Sequence, residues 1–254
     1  MDMAGYAVFE GLPSETQATI RAYTKDVGKL FGSFLEGVLL YGSAVRGDFL
    51  HGRSNLNFLL LLGSHDRVKL ADYAKAHKKW AREQVVVPLL LTEAELTASV
   101  SLFPLEYLEI QEQHRLLAGR DPFIGLHVDT RGLEVQIRQD LRGNLFRLRQ
   151  RFVEGGGTQE AITILLPLSL TALLPCVRGL QRLAKRKTSG SAEDLLLEWQ
   201  EASEMDCSGF LDVLHLKRGM ISPGPVEIPR LFDRYAAALE ALIRFVESSR
   251  RASA

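Results

Sequence analysis

Apolar residues follow two different rhythms along the first third of the chain. After Pro13-Ser14-Glu15, Ile20, Tyr23, Val27, Leu30, Phe31 and Phe34 recur three and four positions apart, which predicts one apolar face of a helix ending at Gly37. Residues 38–41, between Gly37 and Gly42, then form a short unbroken apolar run and predict a buried strand. Residues 58–62, ending at Gly63, predict a second. A helix is expected over about 66–84, capped by Ser64. The β-branched run opening residues 85–91 predicts a third strand, with Pro88 marking an edge or a bulge. Strand, strand, helix, strand is the order of an α/β layer.

From about Asp129 the pattern changes. Four helical stretches are expected, over about 129–154, 158–187, 192–217 and 227–250, with short Gly-, Ser- and Pro-rich breaks between them. Such spacing predicts an antiparallel bundle. In the last stretch Leu231, Phe232, Tyr235, Leu239, Leu242, Ile243 and Val246 make an inward stripe. The expected organisation is thus an α/β domain at 1–127 with a small mixed sheet, followed by an all-α four-helix bundle at 128–254. Residues 161–177 carry no charge, but they include Thr163, Pro167, Ser169, Thr171 and Pro175. Their length is at the short edge of a membrane span, and they are expected to form a core helix, with no membrane involved.

Composition narrows the classes of function. Hydrophobic residues make up 46% and charged residues 24%, an ordinary globular mixture. Thirty-one Lys and Arg balance thirty-one Asp and Glu. No global basic excess signals nucleic-acid coating, although the balance leaves room for a local basic patch. Two cysteines, Cys176 and Cys207, are too few for a disulfide framework or a cysteine-rich zinc site. The start Met1-Asp2-Met3-Ala4-Gly5 lacks the basic-then-apolar form of a secretion signal, so a cytoplasmic location is expected.

The chemistry concentrates between the first two strands. An apolar strand leads into Gly42-Ser43, Arg46-Gly47 follows, and Ser54-Asn55-Leu56-Asn57 opens the next apolar run. Glycine lets a backbone approach a phosphate closely, and the amides after it, with a serine hydroxyl, suit phosphate oxygens. Residues 55 and 57 would project from the same face of a strand.

This order resembles the signature of the DNA polymerase β-type nucleotidyltransferase superfamily, in its minimal and aminoglycoside-type branch with a C-terminal helical bundle. The resemblance implies a nucleoside triphosphate as ligand. It assigns Gly42, Ser43, Arg46 and Ser54 to nucleotide and phosphate binding. It also implies two aspartates at positions 55 and 57 and a third carboxylate on a neighbouring strand, where two-metal phosphoryl chemistry holds Mg²⁺. Here the two positions are Asn55 and Asn57, and residues 85–91 contain no carboxylate. Mg²⁺ is a hard cation held through one or two carboxylates plus substrate phosphates. The expectation is therefore a nucleotidyltransferase fold with a degenerate metal site, binding a nucleotide or a partner with lost or weak transfer.

Two alternatives stand beside it. One is an active nucleotidyltransferase moving a nucleoside monophosphate to a small molecule or protein, with Mg²⁺ held by other carboxylates; Glu106, Glu109 and Asp121 are the nearest in kind but read better as surface groups. The other is an interaction scaffold without nucleotide, its bundle serving a protein partner or a homodimer. In the bundle, Arg138, Arg142, Arg147, Arg149 and Arg151 share one predicted helix. Arg178, Arg182, Lys185, Arg186 and Lys187 end the next. They read as solvated faces, except Arg178, which follows the apolar run directly and is the one expected to line a cleft.

Overall fold

The computed structural model describes residue 9, residues 11–186, residue 188 and residues 190–251. Residues 1–5 and Lys187 lie outside them. The chain divides into two compact units, Met1–Asp129 and Thr130–Ala254.

The first unit is built on a four-stranded mixed sheet. Its strands are β1 (Leu35–Tyr41), β2 (Asn57–Leu62), β3 (Leu89–Leu91) and β4 (His114–Gly119), in the order β3-β2-β1-β4. β1 runs antiparallel to β2 and to β4, whereas β2 and β3 are parallel. Its helices are α1 (Ser14–Phe31), the single turn α2 (Ser43–Arg46), α3 (Arg67–Arg82), α4 (Glu93–Ser99) and α5 (Pro104–Glu112).

β1 and β2 are apolar on both faces because both faces are covered. Val38, Leu40, Phe58, Leu60 and Leu62 pack with Ile20, Tyr23, Val27 and Phe31 of α1 and Tyr73 and Trp80 of α3. Leu39, Leu59 and Leu61 pack on the opposite side with Leu96 of α4, Tyr107 and Ile110 of α5, and Phe123. Each fully buried leucine contributes about 1.5–3 kcal/mol, so the two central strands anchor the unit.

Three local expectations need correction. α1 stops at Phe31, at a left-handed Gly32. Gly37 instead lies inside β1, beside an irregularity in its register with β2. A Cβ there would sit 2.5 Å from the carbonyl oxygen of Arg120, so backbone proximity and not helix termination requires glycine. α3 is capped by Asp66, whose carboxylate accepts the Lys69 amide at 2.8 Å, and not by Ser64. The third strand is cut to Leu89–Leu91 because Pro88 has no N–H to give. Before it, Val85 makes an isolated parallel bridge to Leu56.

The second unit is helical: α6 (Leu133–Glu154), α7 (Gln159–Leu183), α8 (Ala192–Ser203), α9 (Ser208–Arg218) and α10 (Glu227–Arg251). The stretch expected over 192–217 is two helices. Glu204 turns left-handed at φ 57°, and Asp206 accepts the Ser208 amide at 2.8 Å to start the second one. α7 has the length and apolarity of a membrane-spanning helix, and half of its most apolar window is buried within the protein. Its Ser169 joins a buried polar cluster. Tyr235 donates to Ser169 Oγ at 2.8 Å, Ser169 donates to Asn144 Oδ1 at 2.6 Å, and Asn144 Nδ2 donates to the Ser169 carbonyl at 2.9 Å. Burial pushes the Tyr235 phenol upward. Three arginines of α6 face carboxylates: Arg138 pairs with Glu134, Arg142 with Glu247 at 2.6 Å, and Arg149 with Glu240 at 2.7 Å. Arg178 is 3% exposed on α7.

Candidate functional site

β1 ends at Tyr41, and the chain turns at once through Gly42. Gly42 has φ 82° and ψ −150°, a region open essentially to glycine alone. A Cβ at this position would lie 2.8 Å from the Asn57 amide nitrogen. The turn therefore sets the Gly42 backbone directly against Asn57, the first residue of β2. α2 then runs for four residues and closes at a left-handed Gly47. The first amides of such a turn have no partner within it.

The registers of β1 define what shares this end of the sheet. Tyr41 is opposite Asn57 on one side and His114 on the other. Directly opposed residues project to the same face, and here that is the face covered by α4 and α5. Asn55, two residues before Asn57, is exposed, and the Asn57 side-chain amide approaches the Asn55 carbonyl at 3.5 Å.

α5 supplies the charge. The Arg46 guanidinium donates to the Glu109 carboxylate at 2.8 Å and to the Glu109 carbonyl at 2.9 Å, and the two side chains are 7% and 10% exposed. Glu106, one turn earlier on α5, acts on Tyr41. Burial pushes the Tyr41 phenol up to about 12, and the negative charge of Glu106 adds to the shift. His114 ties α5 to β4. Its Nδ1 donates to the Ile110 carbonyl at 2.8 Å, and its Nε2 lies 2.8 Å from the Asp121 carboxylate.

The residues named from the sequence thus separate into three groups. Gly42, Ser43, Asn55 and Asn57 gather at one end of the sheet. Arg46 and Ser54 are engaged within the protein. Arg46 faces Glu109, and the Ser54 hydroxyl, buried at 4% exposure, accepts the Leu50 amide at 3.0 Å and closes the loop before β2. Arg178 belongs to the second unit, on α7. Glu106 is exposed, as the sequence predicts, whereas the burial of Glu109 beside Arg46 is not legible in the sequence.

The donor set does not suit Mg²⁺. The pair at 55 and 57 offers neutral carbonyl oxygens, and the neighbouring strand contributes Val85, Val86 and Val87 at this level. Among the described residues no group of three His, Cys, Asp or Glu could hold a metal ion.

No protein-family model matches the chain, and no curated protein matches its sequence. Solved structures do match it. The spectinomycin adenyltransferase AAD(9) from Enterococcus faecialis, determined with ATP and spectinomycin, is similar with a TM-score of 0.51 and 10% identity, over 85% of this chain and 98% of that one. The fold is nucleotidyltransferase-like. Within it, the Gly42-Ser43 turn and the Asn55–Asn57 pair occupy the connection from one central strand to the next, and a helical unit follows the sheet. The likeness is one of fold, and the nucleotidyltransferase fold alone leaves the chemistry to the site residues.

Proposed function

We propose that this protein binds a nucleoside triphosphate at the Gly42-Ser43 turn and that its capacity for nucleotidyl transfer is weak or lost. The observation that carries this reading is the juxtaposition of Gly42 with Asn57. A phosphate-approachable turn is kept against the strand position where two-metal chemistry needs a carboxylate, and a neutral amide stands there. In this reading Ser43 and the turn amides meet the phosphates. Arg46 and Ser54 hold the turn and the following loop in place. The first unit, Met1–Asp129, is the nucleotidyltransferase-like domain expected from the sequence at 1–127. In the helical unit, Arg178 on α7 is the candidate cation.

Calorimetric titration with ATP, GTP, CTP and UTP, with and without Mg²⁺, tests the proposal. Binding that does not depend on the metal, without turnover, is the expected outcome. Metal-enhanced binding with release of pyrophosphate would support an active transferase acting on a small molecule or protein. The fold it shares with an adenyltransferase, and the presence of Glu106 on the same face as Asn57, favour that second reading. Absence of binding to all four nucleotides would leave the scaffold role.

A further inference from the structure

Charge in the first unit is sorted by the sheet. On the α4–α5 side, residues 92–112 contain Glu93, Glu95, Glu106, Glu109 and Glu112 and no Lys or Arg. On the other side, α1 and α3 with their caps carry Arg21, Lys25, Lys29, Arg67, Lys69, Lys75, Lys78, Lys79 and Arg82 against Glu15, Asp26, Asp66, Asp72 and Glu83. Some of these cations have partners. Lys75 pairs with Asp72, Lys79 pairs with Asp26, Lys69 donates to the Leu30 carbonyl and Arg21 to Gln17. Lys25, Lys29, Arg67, Lys78 and Arg82 are exposed and form no ion pair among the described residues. A chain with no net charge has placed five unpaired cations on one two-helix face.

The surroundings of those cations say what they suit. α1 and α3 lie side by side, joined by the Tyr23–Tyr73 hydroxyl contact at 2.8 Å and the Lys79–Asp26 pair at 3.2 Å. Sixteen helical residues give α3 a length of about 24 Å. On the exposed surface the cations alternate with small side chains: Ala18, Ala22, Ala71, Ala74 and Ala81. No aromatic ring is exposed on either helix, so a single strand would find nothing on which to stack its bases. Val68 is the one large apolar side chain exposed there among the described residues, too little for a face that enters a lipid interface. Hydroxyl and amide groups, which would meet the 2′-hydroxyls of RNA, are scarce between the cations. What remains is a surface of small side chains with a net positive charge, nine cations against five carboxylates.

We infer that the α1–α3 face binds the phosphate backbone of double-stranded DNA without reading its sequence. The cations replace condensed counterions along the duplex, so affinity falls steeply with salt. The face lies across the sheet from Asn57, and its cations are not those of the Gly42-Ser43 turn.

Fluorescence anisotropy of the full chain with labelled 20-base-pair DNA duplexes of two unrelated sequences tests this. Equal affinity for both sequences at low salt is expected, with a log–log salt slope of about −4.5 if all five cations engage. The triple variant Lys25→Gln, Lys78→Gln, Arg82→Gln should lose at least about tenfold in affinity and about three units of slope, with an unchanged circular dichroism spectrum. Arg147→Gln with Arg151→Gln, on α6, should leave binding unaltered. The inference is overturned if the wild-type chain fails to bind duplex at low salt, or if both variants weaken it equally. Tighter binding to single strands, to duplex RNA or to phosphatidylserine vesicles than to DNA duplex would overturn it too.

Discussion

The Arg46 guanidinium donates 2.8 Å to the Glu109 carboxylate, joining the turn after β1 to a helix sixty-three positions further along the chain. Both groups are almost out of water, so their mutual satisfaction matters more than their attraction. Arg46→Met should destabilise the protein by about 3–5 kcal/mol, because it leaves a buried carboxylate without this cation. The double change Arg46→Met, Glu109→Leu should cost clearly less than the sum of the two single changes. Urea unfolding of the four proteins measures the difference; additive costs would show that the pair is not coupled.

Gly42 holds the turn in a conformation that other residues resist. Gly42→Ala should cost about 1–3 kcal/mol from the backbone alone. The added methyl also displaces the Asn57 amide, the far end of a short side chain, so the chain should still fold. Nucleotide affinity in calorimetry should drop by more than the stability loss explains, since the same methyl stands where a phosphate would approach.

Restoring charge should restore a grip on metal. Asn55→Asp with Asn57→Asp puts two carboxylates two positions apart at the entry to β2, and carboxylate oxygens suit a hard divalent cation. Mg²⁺ affinity in the presence of ATP should rise at least tenfold. An unchanged affinity would show that residues 55 and 57 do not correspond to the metal-binding pair.

The Tyr41 phenol offers a pH signature of the site. It is pushed up to about 12, first by burial and then by the charge of Glu106. Its ordinary value is about 10, so the folded state favours the neutral form. That contribution to stability is full below about pH 10 and is lost as pH rises through the folded value. Glu106→Gln should move the titration of Tyr41 downward but keep it above the ordinary value, because burial remains. Ultraviolet difference titration against a Tyr41→Phe control reads this; an unmoved curve would place Glu106 away from Tyr41.

Local signals carried much of the first unit. The runs that became β1 and β2 are short, apolar and bounded by glycine, and the spacing from Gly42 to Asn57 is written in contiguous sequence. Pro88 correctly marked trouble in the third strand, but its effect was to erase half of it. Ser64 and Asp66 are both able to cap a helix, and only the Lys69 amide decides between them. The break at Glu204 lies in a polar stretch with no glycine or proline, so the 192–217 segment reads as continuous. The Arg46–Glu109 pair was invisible for a different reason. Arginine and glutamate are usually solvated, and nothing in sequence distance announces a partner that depends on how α5 folds back over the sheet.

The apolarity of α7 has a consequence for synthesis. Ser169 and the leucines around it are covered in part by α10, through Tyr235. A ribosome completes α7 forty-three residues before α10 begins, so over that interval the nascent chain carries an apolar helix that lacks the cover of α10. A frameshift or stop codon in that interval leaves α7 packed on α6 but without α10, and the apolar side that meets Tyr235 stays open to water.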